Sequence, residues 1–78
     1  MTPTQLWILD YLNLCCPGDA EGDWERPTDI GKAYNGRCHS SWASPKLKKI
    51  AEHGFVERNE EGHWRITGKG REFIENLM

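Results

Sequence analysis

Residues 54–67 restrict the possible folds more than any other part of the chain. After Gly54, two short runs, 55–59 and 63–67, are joined by Glu60-Glu61-Gly62, and in the second run Trp64 and Ile66 alternate with His63 and Arg65. Period-two alternation sends one set of side chains to a buried face and the other to a solvated face. A short connection with glycine at the position that tolerates left-handed backbone makes the two runs a β-hairpin. One hairpin covers too little apolar surface to stand alone, so it must complete a core that helices supply. With 78 residues in all, the expectation is a single domain, 1–78, around one modest core.

The helices announce themselves by their ends. Thr2 is placed to cap, Pro3 takes the first helical position and Gln5 closes a capping box. Leu6, Ile8, Leu9 and Leu12 follow on one broad side, extended by Trp7, Tyr11 and Leu14. That width predicts a helix buried on much of its circumference, stopping near Cys16 because Pro17-Gly18 cannot continue it. Residues 17–27 read as an acidic, turn-rich loop in which Trp24 is expected to be pinned against the core. Thr28 is placed to cap a short second helix over 29–34, with Ile30, Ala33 and Tyr34 inward and Asn35-Gly36 as its end. A third helix runs to roughly His53 and closes at Gly54. Its start is open: Ser44-Pro45 has the form of a cap and first-position proline, yet Ala43, Leu47 and Ile50 keep helical spacing from further back. Thr67 caps a last helix whose Phe73, Ile74 and Leu77 form an apolar stripe.

Charge is distributed unevenly along this frame. The net charge is −2 and the pI near 5.9, a balance that on its face disfavours nucleic acid. Residues 1–30 hold six acids and one base, however, whereas residues 31–49 hold Lys32, Arg37, Lys46, Lys48 and Lys49 and no acid. A local basic patch supplies an electrostatic footprint that net charge conceals. Lys46-Leu47-Lys48-Lys49-Ile50 sets lysines outward on the third helix, and Arg37, His39, Ser40 and Ser41 precede it, near an N-terminus whose backbone N–H groups favour phosphate.

The order helix, short helix, turn, helix, hairpin, helix is α+β and has the logic of a winged helix-turn-helix: three helices, a two-stranded wing and a C-terminal helix. The second helix of such a pair fits the DNA major groove. Trp42-Ala43 ahead of Leu47-Lys48-Lys49, followed by Gly62-x-Trp64-Arg65-Ile66-Thr67-x-x-Gly70, resembles the recognition helix, wing and terminal helix of bacterial winged-helix regulators. More particularly it is similar to the N-terminal winged-helix domain of Mrr-type restriction endonucleases, without the nuclease domain. The resemblance covers residues 42–72 and implies DNA binding by residues around Ser41 to Lys49.

The expectation is a non-enzymatic DNA-binding protein, a transcriptional regulator of prokaryotic or phage type. Its partner is double-stranded DNA, contacted by Arg37, His39, Ser40, Ser41, Lys46, Lys48, Lys49, His63 and Arg65, and specific binding would call for a homodimer. The rival is an adaptor that keeps the fold but binds protein, through the acidic loop or Trp42; Glu60-Glu61 at the wing tip and the acidic pI favour it. Trp42 itself reads either as a core anchor or as an interface aromatic. No cofactor or metal is expected: Cys15, Cys16, Cys38 and His39 lack the spacing of a zinc site. An odd number of cysteines, two of them adjacent, is a poor disulfide framework and fits a cytoplasmic setting. No apolar run approaches the roughly 20 residues that span a bilayer, so no membrane association is expected. No nucleophile–base motif stands out.

Overall fold

The first helix starts as its residues dictate. In the computed structural model, which describes residues 1–14, 24–36 and 40–77 (without the side chains of Asn35 and Ser40), α1 spans Pro3–Leu14. The Gln5 amide donates to Thr2 Oγ1 at 3.2 Å and the Thr2 amide donates to Gln5 Oε1 at 3.1 Å, a complete capping box. Ile8, Leu9 and Leu12 are buried, with Leu6, Trp7 and Tyr11 packed at the core's margin. Leu14 departs from expectation at 73% exposed; two residues beyond Leu12, it stands about 200° around the helix. The expected stop at Cys16 and residues 17–23 of the acidic loop lie outside the described residues.

α2 (Pro27–Asn35) begins earlier than expected, and its N-cap is Arg26 rather than Thr28. Pro27 takes the first helical position, where its fixed φ suits the helix and its missing N–H costs nothing. The Arg26 carbonyl then accepts from the amides of Asp29 and Ile30 at 3.0 and 3.1 Å. Asp29 returns its carboxylate to the Arg26 guanidinium at 2.9 Å, and that hydrogen bond and charge hold the guanidinium above its ordinary pKa. Ile30 is buried. The inward placement of Ala33 and Tyr34 is not observed: the last turn runs past the edge of the core, leaving Ala33 exposed and Tyr34 41% exposed. Gly36 closes the helix in the left-handed region at φ 66°, its amide donating to the Lys32 carbonyl at 3.0 Å.

α3 (Ser40–Glu52) is one continuous helix, which resolves its start. Ser44-Pro45 is not a cap, because Pro45 lies inside the helix. The N–H it lacks would have met the Ser41 carbonyl, and both residues are exposed, so water can satisfy that carbonyl. Ala43, Leu47 and Ile50 are fully buried, and this apolar edge outweighs the local proline signal.

The hairpin is shorter than the sequence suggests, β1 being Val56–Arg58 and β2 Trp64–Ile66. They pair antiparallel with Val56 opposite Ile66, Glu57 opposite Arg65 and Arg58 opposite Trp64. Val56, Trp64 and Ile66 turn into the core, as the alternation requires. At the tip, Asn59 Oδ1 accepts from the amides of Glu61 and His63, both at 2.9 Å, and Gly62 takes φ 83°. A further pairing comes from the segment expected to be loop: Glu25 bridges Trp64 antiparallel through bonds of 2.7 and 2.8 Å. Trp24 beside it is not pinned against the core but is 37% exposed, because the backbone of Glu25, not the Trp24 ring, fastens this segment.

α4 (Gly68–Leu77) is capped by Thr67, whose hydroxyl accepts from the Gly70 amide at 3.1 Å and donates to the Gly54 carbonyl at 2.7 Å. One side chain therefore joins the end of α3 to the start of α4. Gly70 is required by close approach, since a Cβ there would lie 2.1 Å from the Phe55 carbonyl oxygen. Ile74 is buried and Phe73 stacks on Phe55 at 4.4 Å, but Leu77 is 56% exposed and falls outside the expected stripe. The order α1-α2-α3-β1-β2-α4 is the arrangement of a winged helix-turn-helix. Among the described residues, no helix is long and apolar enough to cross a membrane.

Candidate nucleic-acid interface

The pose of α3 is fixed on two sides. Its inner edge, Ala43, Leu47 and Ile50, is sealed in the core. Its N-terminal flank is held by a column of rings that crosses three helices. Tyr11 stacks on Trp7 at 5.4 Å, Trp7 meets Tyr34 edge to face at 4.7 Å, and Tyr34 stacks on Trp42 at 4.9 Å. Lys46 closes the column, its Nζ 4.6 Å from the Trp42 ring centroid and 3.1 Å from the Trp42 carbonyl oxygen. Trp42 is half-buried and acts as an anchor between α2 and α3. The helix pair is thus held by aromatic contact as well as by aliphatic burial.

Sequence-predicted cations divide sharply within this frame. Ser41, Pro45, Lys48, Lys49 and Glu52 are all exposed, and their spacing places them on one side of α3, away from the buried edge. Among the described residues, the Lys48 and Lys49 side chains have no ion pair, hydrogen bond or ring contact, and the same holds for the Lys32 side chain on α2. Lys46 is turned back along its own helix onto Trp42. Arg65 is engaged on the wing, paired with the Glu57 carboxylate opposite it and lying 4.3 Å over the Trp24 ring. His63 is half-buried, with Nδ1 3.7 Å from Glu61. Arg37 and His39, with Cys15, Cys16 and Cys38 of the zinc alternative, lie outside the described residues, as does the Ser40 side chain.

Of the predicted set, α3 brings Ser41, Lys48 and Lys49 to one surface, while His63 and Arg65 belong to the hairpin. Two further exposed cations fall outside the predicted set, Lys32 on α2 and Arg58 on β1. Lys32 was visible in the charge pattern. Arg58 stands exposed on β1, its guanidinium 6.0 Å from the Trp64 ring and against Gly62. The acids nearest in sequence to this surface, Glu52 at the end of α3 and Glu60 and Glu61 at the wing tip, are exposed as well. Among the described residues, no group of three or more His, Cys, Asp or Glu side chains could hold a metal ion.

Fold and surface together define a winged helix-turn-helix arrangement whose third helix carries exposed lysines. No family model matches the chain, and no curated protein or solved structure matches it significantly.

Proposed function

We propose that this protein is a non-enzymatic winged-helix domain that binds double-stranded DNA through the outer face of α3. The observation that carries the reading is the exposure of Lys48 and Lys49, without partners among the described residues, on a helix whose other side is sealed by Ala43, Leu47 and Ile50. A lysine held on a rigid helix and not consumed by a neighbouring acid is suited to neutralise phosphate as the helix enters the groove. The acid-free stretch 31–49 adds Lys32 to the same positive field. The resemblance to the N-terminal domain of Mrr-type endonucleases supports duplex DNA as the ligand, and the role proposed with it is that of a prokaryotic or phage regulator acting as a homodimer in the cytoplasm.

Binding to a short random-sequence duplex tests the proposal. Affinity should be measurable at low ionic strength and fall with salt, each neutralised phosphate contributing about −0.9 to the slope of log K against log salt. Undetectable binding at low salt refutes it. The second reading, a protein-binding adaptor, is favoured by the exposed Glu60 and Glu61 and by the engagement of Arg65 with Glu57, which leave the wing poorly equipped for phosphate.

A further inference from the structure

The outer face of α3 contains a residue that the core does not use. Pro45 is exposed, and it belongs neither to the buried core nor to the partly buried hydrophobics packed against it. It nevertheless lies inside the helix. A proline there removes a helical hydrogen bond and crowds the carbonyl four residues back, at a cost to helix stability. No core packing offsets that cost, and breaches of local preference without a structural gain concentrate at functional sites. The carbonyl concerned is that of Ser41, which is exposed as well and lacks the donor that an unbroken helix would give it.

The two residues also hold the centre of the face. At about 100° per residue, Ser41 and Pro45 lie between Lys48 on one flank and Lys49 on the other, opposite the edge of Ala43, Leu47 and Ile50. Cationic flanks suit the phosphates along the two walls of a major groove, and the middle of the face then meets the base edges on its floor. Glu52, the one acid of α3, stands two turns beyond Pro45, about 10 Å along the axis.

Resting on the DNA binding proposed above, we infer that Pro45 and Ser41 read one T·A base pair: the pyrrolidine ring packs on the thymine C5 methyl, and the Ser41 carbonyl accepts from the adenine N6 amino group. Major-groove chemistry chooses the pair. Thymine offers the methyl and its adenine partner offers the amino donor, whereas a G·C pair offers an amino donor without a methyl. An apolar ring beside a backbone acceptor complements the first fully and the second only by half. Pro45 is thereby a specificity-determining residue, distinct from the lysines, which supply affinity to any sequence.

The test selects duplexes from a random library on the intact protein and then edits the preferred sequence one chemical group at a time. Replacing its thymines singly by deoxyuridine removes only a methyl, and at one position or more it should weaken binding about threefold. Replacing the adenine paired with that thymine by purine removes only the amino group and should weaken binding about fivefold; a G·C pair there should cost about tenfold. Pro45→Ser restores the N–H, ties up the Ser41 carbonyl and removes the ring. This variant should unfold at a higher temperature than the parent, bind the T·A and G·C duplexes within about twofold of each other, and become indifferent to deoxyuridine. K48A/K49A should weaken both duplexes alike and keep the parent's ratio. The inference is overturned if no T·A pair responds to both edits, or if Pro45→Ser keeps the parent's preference. Salt-dependent binding without any such pair overturns this inference alone; no binding at low salt overturns it together with the DNA reading.

Discussion

The third helix and the wing carry the same kinds of side chain and use them differently. On α3, Lys48 and Lys49 point outward and meet nothing among the described residues. On the wing, Arg65 is held between Glu57 and the Trp24 ring, and Arg58 lies against Gly62 near Trp64. One region presents its charge and the other uses it to hold itself together. A cation's availability is therefore set by what the strand register or helix face puts beside it, and the residue type alone does not reveal it. The hairpin, which makes the fold recognisable, packs on both α3 and α1.

The comparison breaks most visibly at the seat of the wing. Gly70→Ala pushes a methyl into the Phe55 carbonyl, and relief requires moving the hairpin or α4. The expected cost is about 3 kcal/mol or more in chemical denaturation; a loss below about 1 kcal/mol would mean that the joint between α4 and the hairpin yields readily. Arg65→Gln comes next. It removes a partly solvated ion pair and a ring contact, so stability should fall by about 1 kcal/mol with no change in the salt dependence of duplex binding. A flattened slope would instead make Arg65 a phosphate contact. Lys46→Met keeps the aliphatic stem and removes the charge over Trp42. We expect a loss of about 0.5 kcal/mol, little change in DNA affinity, and an altered Trp42 indole resonance. A large affinity loss with unchanged stability would place Lys46 in the binding face.

Local chemistry was legible in the sequence. The capping box of Thr2 and Gln5, the Thr67 cap, the Gly36 and Gly54 helix ends and the Gly62 turn depend on residues within a few positions of one another, and each is in place. The misplacements have physical causes. Thr28 has the residue type of a cap, but Pro27 fixes the helix start two residues earlier, with Arg26 at the cap. Ser44-Pro45 carried a local signal that the buried edge of Ala43, Leu47 and Ile50 overrides. The Glu25–Trp64 bridge joins segments far apart in the chain and leaves no periodic trace in an acidic stretch. The aromatic column had only a partial signal, the helical spacing of Trp7 and Tyr11; its continuation through Tyr34 and Trp42 depends on how three helices cross. For the candidate site, the acid-free run located the basic helix, but only the fold separated Lys48 and Lys49 from Lys46 and Arg65.

The salt slope of duplex binding, measured side by side for the parent protein, K48A/K49A and Arg65→Gln, tests the central claim most directly. If α3 presents its charge while the wing engages its own, K48A/K49A should flatten the slope by about 2, one phosphate per lysine, with folding stability within about 0.5 kcal/mol of the parent. Arg65→Gln should run parallel to the parent. The opposite pattern, an unchanged slope for the double lysine variant and a flattened one for Arg65→Gln, would contradict the account and move the interface to the wing.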